Sequence, residues 1–466
     1  MNRLRNKQKS FISLYNRKFI RKGSRKMLVG IIVCIIFVIL AFAMMSRKLP
    51  AILAMPIMAV AIALVAGMPV IPGAEGTESI LETVLNNGAS RLVSNVIIII
   101  FASWLANILY KTGITDVMIK KAAELGGDKP MVIASLLVLV AALLFSAMGG
   151  VGAVAMIGGT MLPIMISVGI KPLAAAHLFM AALSAGYNIQ PSNIATVANM
   201  CGVEVADIML AGWILCAFDL AFAAVYMFIY NRKEGKKHAF AAPVQDEDLD
   251  STKSSYQVKG VRALLASLTP VLIIALVYFF GWNMVACYMM GIVWLIIMTA
   301  KGGWSRYVSM LTQAAYDGVK DAAPPVMIFM GIGMILTSVA STTVQTALAP
   351  FMNAIVPGTV IGLLIFCAVL SPLALYRGPF NILGLGSCLA AGIIGLGTFS
   401  PILLAAVFYC TFRWPAQACP TATQVVWVSN YVGEDPINVS NKVFIPNWVM
   451  TAVSVFAVGL LYWFMM

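Results

Sequence analysis

Ser146-Ala-Met-Gly-Gly-Val-Gly-Ala153 breaks an otherwise apolar stretch in its middle, and the reading of that break decides the fold. Its flanks, 131–147 and 153–169, are each about 17 apolar residues, close to the ~20 that a membrane-spanning helix needs. Three glycines in four positions favour leaving the helix, because glycine loses the most backbone freedom on entering it. Non-helical backbone at membrane depth is tolerated only where protein or a water-filled cavity covers it. The stretch therefore reads as two spans or as one re-entrant hairpin, and the glycines suit a hairpin tip facing a binding site.

The composition agrees with a membrane setting. Of 466 residues, 61% are hydrophobic and 11% charged, with a mean hydropathy of +0.93. Soluble domains carry roughly 45–50% apolar and about 25% charged residues, so a water-soluble enzyme is excluded. A net charge of +13 can signal nucleic acid, but here it is uneven. Ten Lys/Arg and no acid lie in 1–26, and the other 440 residues hold 21 basic against 18 acidic side chains. The chain reads as a nearly neutral, multi-pass inner-membrane protein with a basic tail, partnered by the lipid bilayer and not by nucleic acid. Its eight cysteines form no CxxC pair or Cys/His cluster, so neither a disulfide framework nor a metal site is indicated. With His177 and His238 as the sole histidines, no cofactor is expected.

Clear spans are 28–46, 50–68, 92–112, 205–230, 262–280, 284–300, 322–342 and 446–465. The first is no cleaved signal peptide, since it lacks a small-residue cleavage site and another span follows at once. The hydrophilic stretch after 230 separates two halves that look alike. Each opens with a tight helical pair (28–68; 262–300) and continues into a polar amphipathic segment, TESILETVLNNGASR or SRYVSMLTQAAYDGVK. In these segments Gly88 and Gly318 stand 230 apart. A span and a short segment follow, then an apolar stretch broken at 146–153 or at Ser371-Pro-Leu-Ala-Leu-Tyr-Arg-Gly-Pro-Phe380. A second break comes at Gln190-Pro-Ser-Asn-Ile-Ala-Thr196 and Cys419-Pro-Thr-Ala-Thr-Gln424, with Pro191 and Pro420 separated by 229. Chance likeness among apolar segments would not keep the order and spacing of these breaks.

With each hairpin re-entrant and each proline-broken segment one discontinuous span, a half has five crossings, and an odd number makes the repeats inverted. The expected fold is an all-α polytopic membrane protein with two inverted repeats of five transmembrane helices plus a re-entrant hairpin each. A basic tail (1–26) precedes the first repeat (27–230, hairpin about 131–169). A cytoplasmic linker (231–261) leads to the second repeat (262–466, hairpin about 359–397). With the linker inside, 18 basic residues fall on the cytoplasmic side and only Arg91 outside. The tail is the exception, and the expectation is that another feature retains it or that native translation starts at Met27.

Opening a helix at the midplane exposes N–H groups that bind anions and carbonyls that hold cations. Two hairpin tips and two broken spans related by a pseudo-dyad would converge on one cavity. Candidate substrate groups at the first tip are Ser146, Gly149, Gly150 and Gly152, and at the first break Ser192, Asn193 and Thr196. The second half offers Arg377, Gly378 and Asn381 at the tip, with Arg413, Thr421 and Thr423 at the break. Arg377 is the most informative, because an intramembrane charge is costly and its planar fork suits a carboxylate. A structural ion pair and interfacial snorkelling are its other readings, and an internal partner or a membrane-interface position is the other reading of Arg413. The hydroxyl and amide residues equally fit helix capping. Mid-span Asp219 suits a proton carrier or a salt bridge to an intramembrane arginine. His177 suits a proton relay or a hydrogen-bonded packing role. Asp317 and Asp321 read as solvated charges of an amphipathic segment. No Walker A, Rossmann, GxSxG or HExxH pattern occurs in the sequence.

The stretch GGVGAVAMIGGTMLPIMISVGIKPLAAA resembles the hairpin of the citrate–proton symporters, and RGPFNILGLG resembles its counterpart. Both halves are similar, in order, to the ion transporter superfamily of secondary carriers, which includes gluconate permeases and divalent-anion/sodium symporters. The resemblance implies a scaffold domain (the first three spans of each half), a transport domain (hairpins, broken and closing spans), elevator-like movement and a homodimer. The tips depart from the Ser-Asn-Thr of the sodium-symporter branch, and the first lacks the acidic residues of the citrate branch. Together these features imply a symporter of a small organic anion, a mono- or dicarboxylate, coupled to H⁺ or Na⁺. A cation/proton antiporter using Asp219, and more remotely a membrane-embedded enzyme or channel, are the alternatives.

Overall fold

The computed structural model describes residues 28–33, 35–36, 38–40, 42–44, 48–73, 77–127, 129–234, 258, 260–300, 303–383 and 386–465. The basic tail, Met27, His238 and most of the linker lie outside the described residues, as does the side chain of Arg377. Regular structure among the described residues is helical. The first half comprises α1 (Ala51–Ala66), α2 (Val93–Lys111), α3 (Ile114–Gly126), α4 (Pro130–Phe145), α5 (Gly150–Ser167), α6 (Pro172–Ile189), α7 (Pro191–Cys201) and α8 (Val205–Glu234). In the second half α9 (Val261–Ser267), α10 (Thr269–Phe280), α11 (Met284–Thr299), α12 (Trp304–Ala340) and α13 (Thr342–Ile355) come first. They are followed by α14 (Val360–Leu370), α15 (Gly386–Gly395), α16 (Pro401–Cys410), α17 (Arg413–Gln417), α18 (Thr423–Val432) and α19 (Pro436–Met465). Residues 28–44 also carry helical positions ahead of α1.

Among the described residues, six helical stretches are by length and composition able to cross a membrane, and seven if α13 and the arm Val360–Tyr376, bent by 87°, count as one. The chain is thus a multi-pass, all-helical membrane protein. Local sequence sets the ends. Pro130, Pro172, Pro191 and Pro401 each stand in the first turn, where the missing N–H costs nothing. Gly202 and Gly433 close α7 and α18 in the left-handed conformation that glycine adopts freely.

Two segments read as separate amphipathic pieces are continuous with spans. Residues 80–87 wind as a π-helix and pass through Gly88–Ser90 towards α2. The second-half segment lies within the 37-residue α12, which carries Pro324 and Pro325 inside it. The helix propagates from the polar into the apolar part through both prolines. The amphipathic acids are engaged as well. Asp317 pairs with Lys111 at 2.8 Å, and Asp321 accepts from Asn107 Nδ2 at 3.0 Å.

The Gly88–Ser90 turn and α2 each pack closely on α12 through a glycine. A Cβ on Gly88 would lie 2.7 Å from Met334 Cα, and one on Gly318 would lie 2.8 Å from Trp104 Cα. Gly88 and Gly318, and likewise Trp104 and Met334, stand 230 apart, so one contact is made twice with its partners exchanged. At one end of this pair Glu78 accepts four bonds from the start of α13. The donors are Thr342 N–H (2.9 Å), Thr342 Oγ1 (3.0 Å), Thr343 Oγ1 (3.1 Å) and Thr343 N–H (3.3 Å).

Gly318→Val, forced against backbone, is expected to cost at least the 1–3 kcal/mol typical of overpacking. Gly159→Ala, with open space around its Cβ, should be near neutral by thermal unfolding in detergent. Burial opposes the Glu78 charge, but the four bonds outweigh it and hold the carboxyl below its ordinary 4.5. The stabilisation is therefore full above about pH 4.5 and lost as pH falls through the lowered value. Wild type should lose more thermal stability than Glu78→Gln between pH 7 and this acid range; equal losses would count against the clasp.

Candidate functional site

At the first tip Ser146 is buried, and its Oγ donates to Leu143 O (2.6 Å). The chain then leaves the helix at extended Gly149, and Gly150 takes a left-handed φ of +87°. Gly150 N–H donates to Tyr187 Oη at 3.3 Å. A Cβ on Gly149 would lie 3.3 Å from Gln190 Nε2, and one on Gly152 only 2.6 Å from Asp321 Oδ2. The first tip therefore rests on the first break and on α12.

At the first break Gln190 caps both the end of α6 and the start of α7. Asn193 Nδ2 donates to Gln190 Oε1 (2.8 Å) and Tyr187 O (3.1 Å), and Thr196 Oγ1 donates to Ser192 O (2.7 Å). Ser192 and Thr196 are buried.

The second tip is built in a different way. A 3-10 turn (Ser371–Arg377) ends with Tyr376 in left-handed backbone, and Tyr376 N–H donates to Cys419 Sγ at 3.2 Å. Gly378 is tight, since a Cβ there would stand 2.0 Å from Leu373 O. Buried Asn381 organises the turn, its Oδ1 accepting from Leu383 N–H (3.0 Å) and its carbonyl from Gly386 N–H (2.8 Å). At the second break Thr421 Oγ1 meets Cys419 Sγ at 3.3 Å, while Thr423 is exposed. The halves also interlock: α5 packs on α18, where Gly158 lies against Trp427, and α15 packs on α7.

Beside both breaks lies a buried polar cluster. Asp219 of α8 and Arg413 of α17 form an ion pair at 2.7 Å, with side chains 1% and 3% exposed. Gln417 Nε2 donates to Asp219 Oδ1 (2.9 Å) and Asn188 Nδ2 to Oδ2 (2.8 Å). Arg413 Nε donates to Asn447 Oδ1, and its guanidinium carbon stands 4.8 Å from the Phe222 ring centroid. Tyr409 Oη donates to Asn188 O at 2.8 Å. His177 is elsewhere, its ring nitrogens bonded to Tyr226 Oη (2.9 Å) and Val439 O (3.1 Å).

The structure thus brings each tip to the break of its own half and joins Asp219 to Arg413. It keeps His177 and Thr423 out of that cluster. Asn188, Gln417, Asn447 and Tyr409 were missed as site residues. A signal existed for two of them: Asn188 and Gln417 each stand three residues before a break proline, 229 apart.

Removing one partner of a buried ion pair leaves an uncompensated charge, which costs about 3–5 kcal/mol. Arg413→Gln is expected to lose that order of stability in thermal unfolding. The neutral pair Asp219→Asn/Arg413→Gln should recover most of it; a double variant as unstable as the single would contradict the pairing.

A family model described as C4-dicarboxylate anaerobic carrier matches residues 71–375, well over half of the chain. Over 199 residues the chain is 31% identical to the Uncharacterized membrane protein YhfA of Bacillus subtilis (strain 168), covering 40% of this chain and 41% of that protein. The match thus spans less than half the length of that curated relative. The family is one of membrane carriers, as the hairpin motifs implied, so a transporter fits the chain better than an enzyme. The chain belongs to the C4-dicarboxylate anaerobic carrier family.

Proposed function

We propose that the protein is a secondary active symporter of a C4-dicarboxylate in the inner membrane, driven by an H⁺ or Na⁺ gradient. The observation that carries this reading is the convergence of tips and breaks in a chain matched by a carrier family. Each tip contacts the break of its own half, through Gly150–Tyr187 and Tyr376–Cys419, and the opposite hairpin arm packs on each break helix. A dianion placed among them would meet the N-terminal ends of α5, α7 and α18, whose helix dipoles favour negative charge. Arg377 would hold one carboxylate through its planar fork. Ser192, Asn193, Thr196, Thr421 and Thr423 would supply hydrogen bonds, and Gly149, Gly150, Gly152 and Gly378 close backbone approach.

The reciprocal contacts Gly88–Met334 and Gly318–Trp104 support two repeats related by a pseudo-dyad, which exchanges partners in that way; an odd number of spans in each would make them inverted. On this reading α2 and α12 belong to the scaffold, the hairpins and breaks to a transport domain that moves past it as an elevator, and the carrier is a homodimer. Each half then contributes five spans and a re-entrant hairpin. Asp321 of α12, facing Gly152, would mark the sliding surface.

In proteoliposomes, Arg377→Ala is expected to reduce succinate and fumarate uptake at least 100-fold while the protein elutes as a folded species. Full retained uptake would remove Arg377 from the site. Imposing a pH or a Na⁺ gradient separately on wild type identifies the coupling ion.

A further inference from the structure

We infer that Asp219, with Asn188, Gln417 and Arg413, is a positioning device that sets the separation of the two helix breaks and thereby the length of dicarboxylate accepted. The inference rests on the carboxylate-transport reading and assigns these four residues no contact with substrate. One carboxylate is held from both repeats. Asn188, the second residue before the end of the first unbroken segment at Gln190, donates to Oδ2 at 2.8 Å. Gln417, at the matching place before the second break, donates to Oδ1 at 2.9 Å. The two amides stand 229 apart, as do the break prolines that follow them, Pro191 and Pro420. Arg413 reaches the same oxygen as Gln417 from the segment leading into the second break, at 2.7 Å.

Burial argues against a direct role. The Asp219 and Arg413 side chains are 1% and 3% exposed, and both carboxylate oxygens and Arg413 Nε and Nη1 are engaged within the cluster. Stability alone does not explain it either. Arg413 Nη2 and Asn447 Nδ2 are buried with no acceptor among the described residues, and a well-packed apolar replacement for such a pair is often at least as stable. What the cluster supplies is geometry: two short, directional bonds tie the last turns before the breaks to one point. Tyr409, bonded to the Asn188 carbonyl, adds a third tie across the halves. A site that must span two carboxylates is sensitive to that separation, whereas a site for one carboxylate is not.

The test compares uptake of radiolabelled malonate, succinate and glutarate by wild type, Asn188→Ala, Gln417→Ala and Asp219→Asn/Arg413→Gln in proteoliposomes. The two amide variants keep the ion pair and the double variant leaves no lone charge, so at least one folded protein carries the question. The expected result is a fall of at least five-fold in the succinate-to-glutarate or succinate-to-malonate ratio of kcat/KM in the folded variants. A uniform loss for all three acids, or an unchanged ratio, would overturn the positioning role while leaving carboxylate transport in place. A wild type that carries none of the three acids would overturn the transport reading, and this inference with it.

Discussion

A helix broken inside a bilayer must have its freed N–H and C=O groups covered by protein or water, and most of this architecture follows from that constraint. Four breaks would leave many such groups, and here they are answered in pairs. The first tip donates to a tyrosine beside the first break, and the second tip donates to the cysteine that opens the second. Asn193 and Asn381 spend their side chains on neighbouring backbone or amide groups. Residues read as ligands from their chemistry are therefore also the residues that keep the breaks open, and the two roles compete for the same atoms.

The ion pair between Asp219 and Arg413 is the second consequence of that setting. In a low-dielectric interior an unpaired charge is prohibitive, so each group is tolerable only while its partner is present. The pair joins α8 of the first half to α17 of the second, with an aromatic ring near the guanidinium and an amide from each half on the carboxylate. Integrity of the two repeats is thereby made mutual, since neither supplies a satisfied centre alone.

Much of this was legible in the sequence, for identifiable reasons. Glycine and proline breaks have local causes, so the tip at 146–153 and the stops before Pro191 and Pro420 fall where the residues put them. Helix content follows from long apolar runs in the same way. The continuity of α12 was not legible, because a polar-to-apolar change followed by Pro324-Pro325 looks like a boundary. Asn447, inside α19, carried no signal, and Asn188 and Gln417 were marked only by their matching offset from the break prolines; the charge they converge on is revealed by the fold. Asp321 was read as solvated because neighbours from α2 and the first hairpin are remote in sequence.

The length of α12 has one more consequence. At about 1.5 Å per residue, its 37 residues extend roughly 55 Å, nearly twice the ~30 Å of a hydrocarbon core. Tilting cannot absorb the excess, since a single rod would need an angle of roughly 57° where spans rarely exceed about 40°. One end must therefore lie beyond the hydrocarbon core. The end suited to it begins with Trp304, which is 70% exposed, and carries exposed Arg306 two residues on. An indole at headgroup depth acts as a float that resists movement along the membrane normal, so this helix carries its own depth gauge.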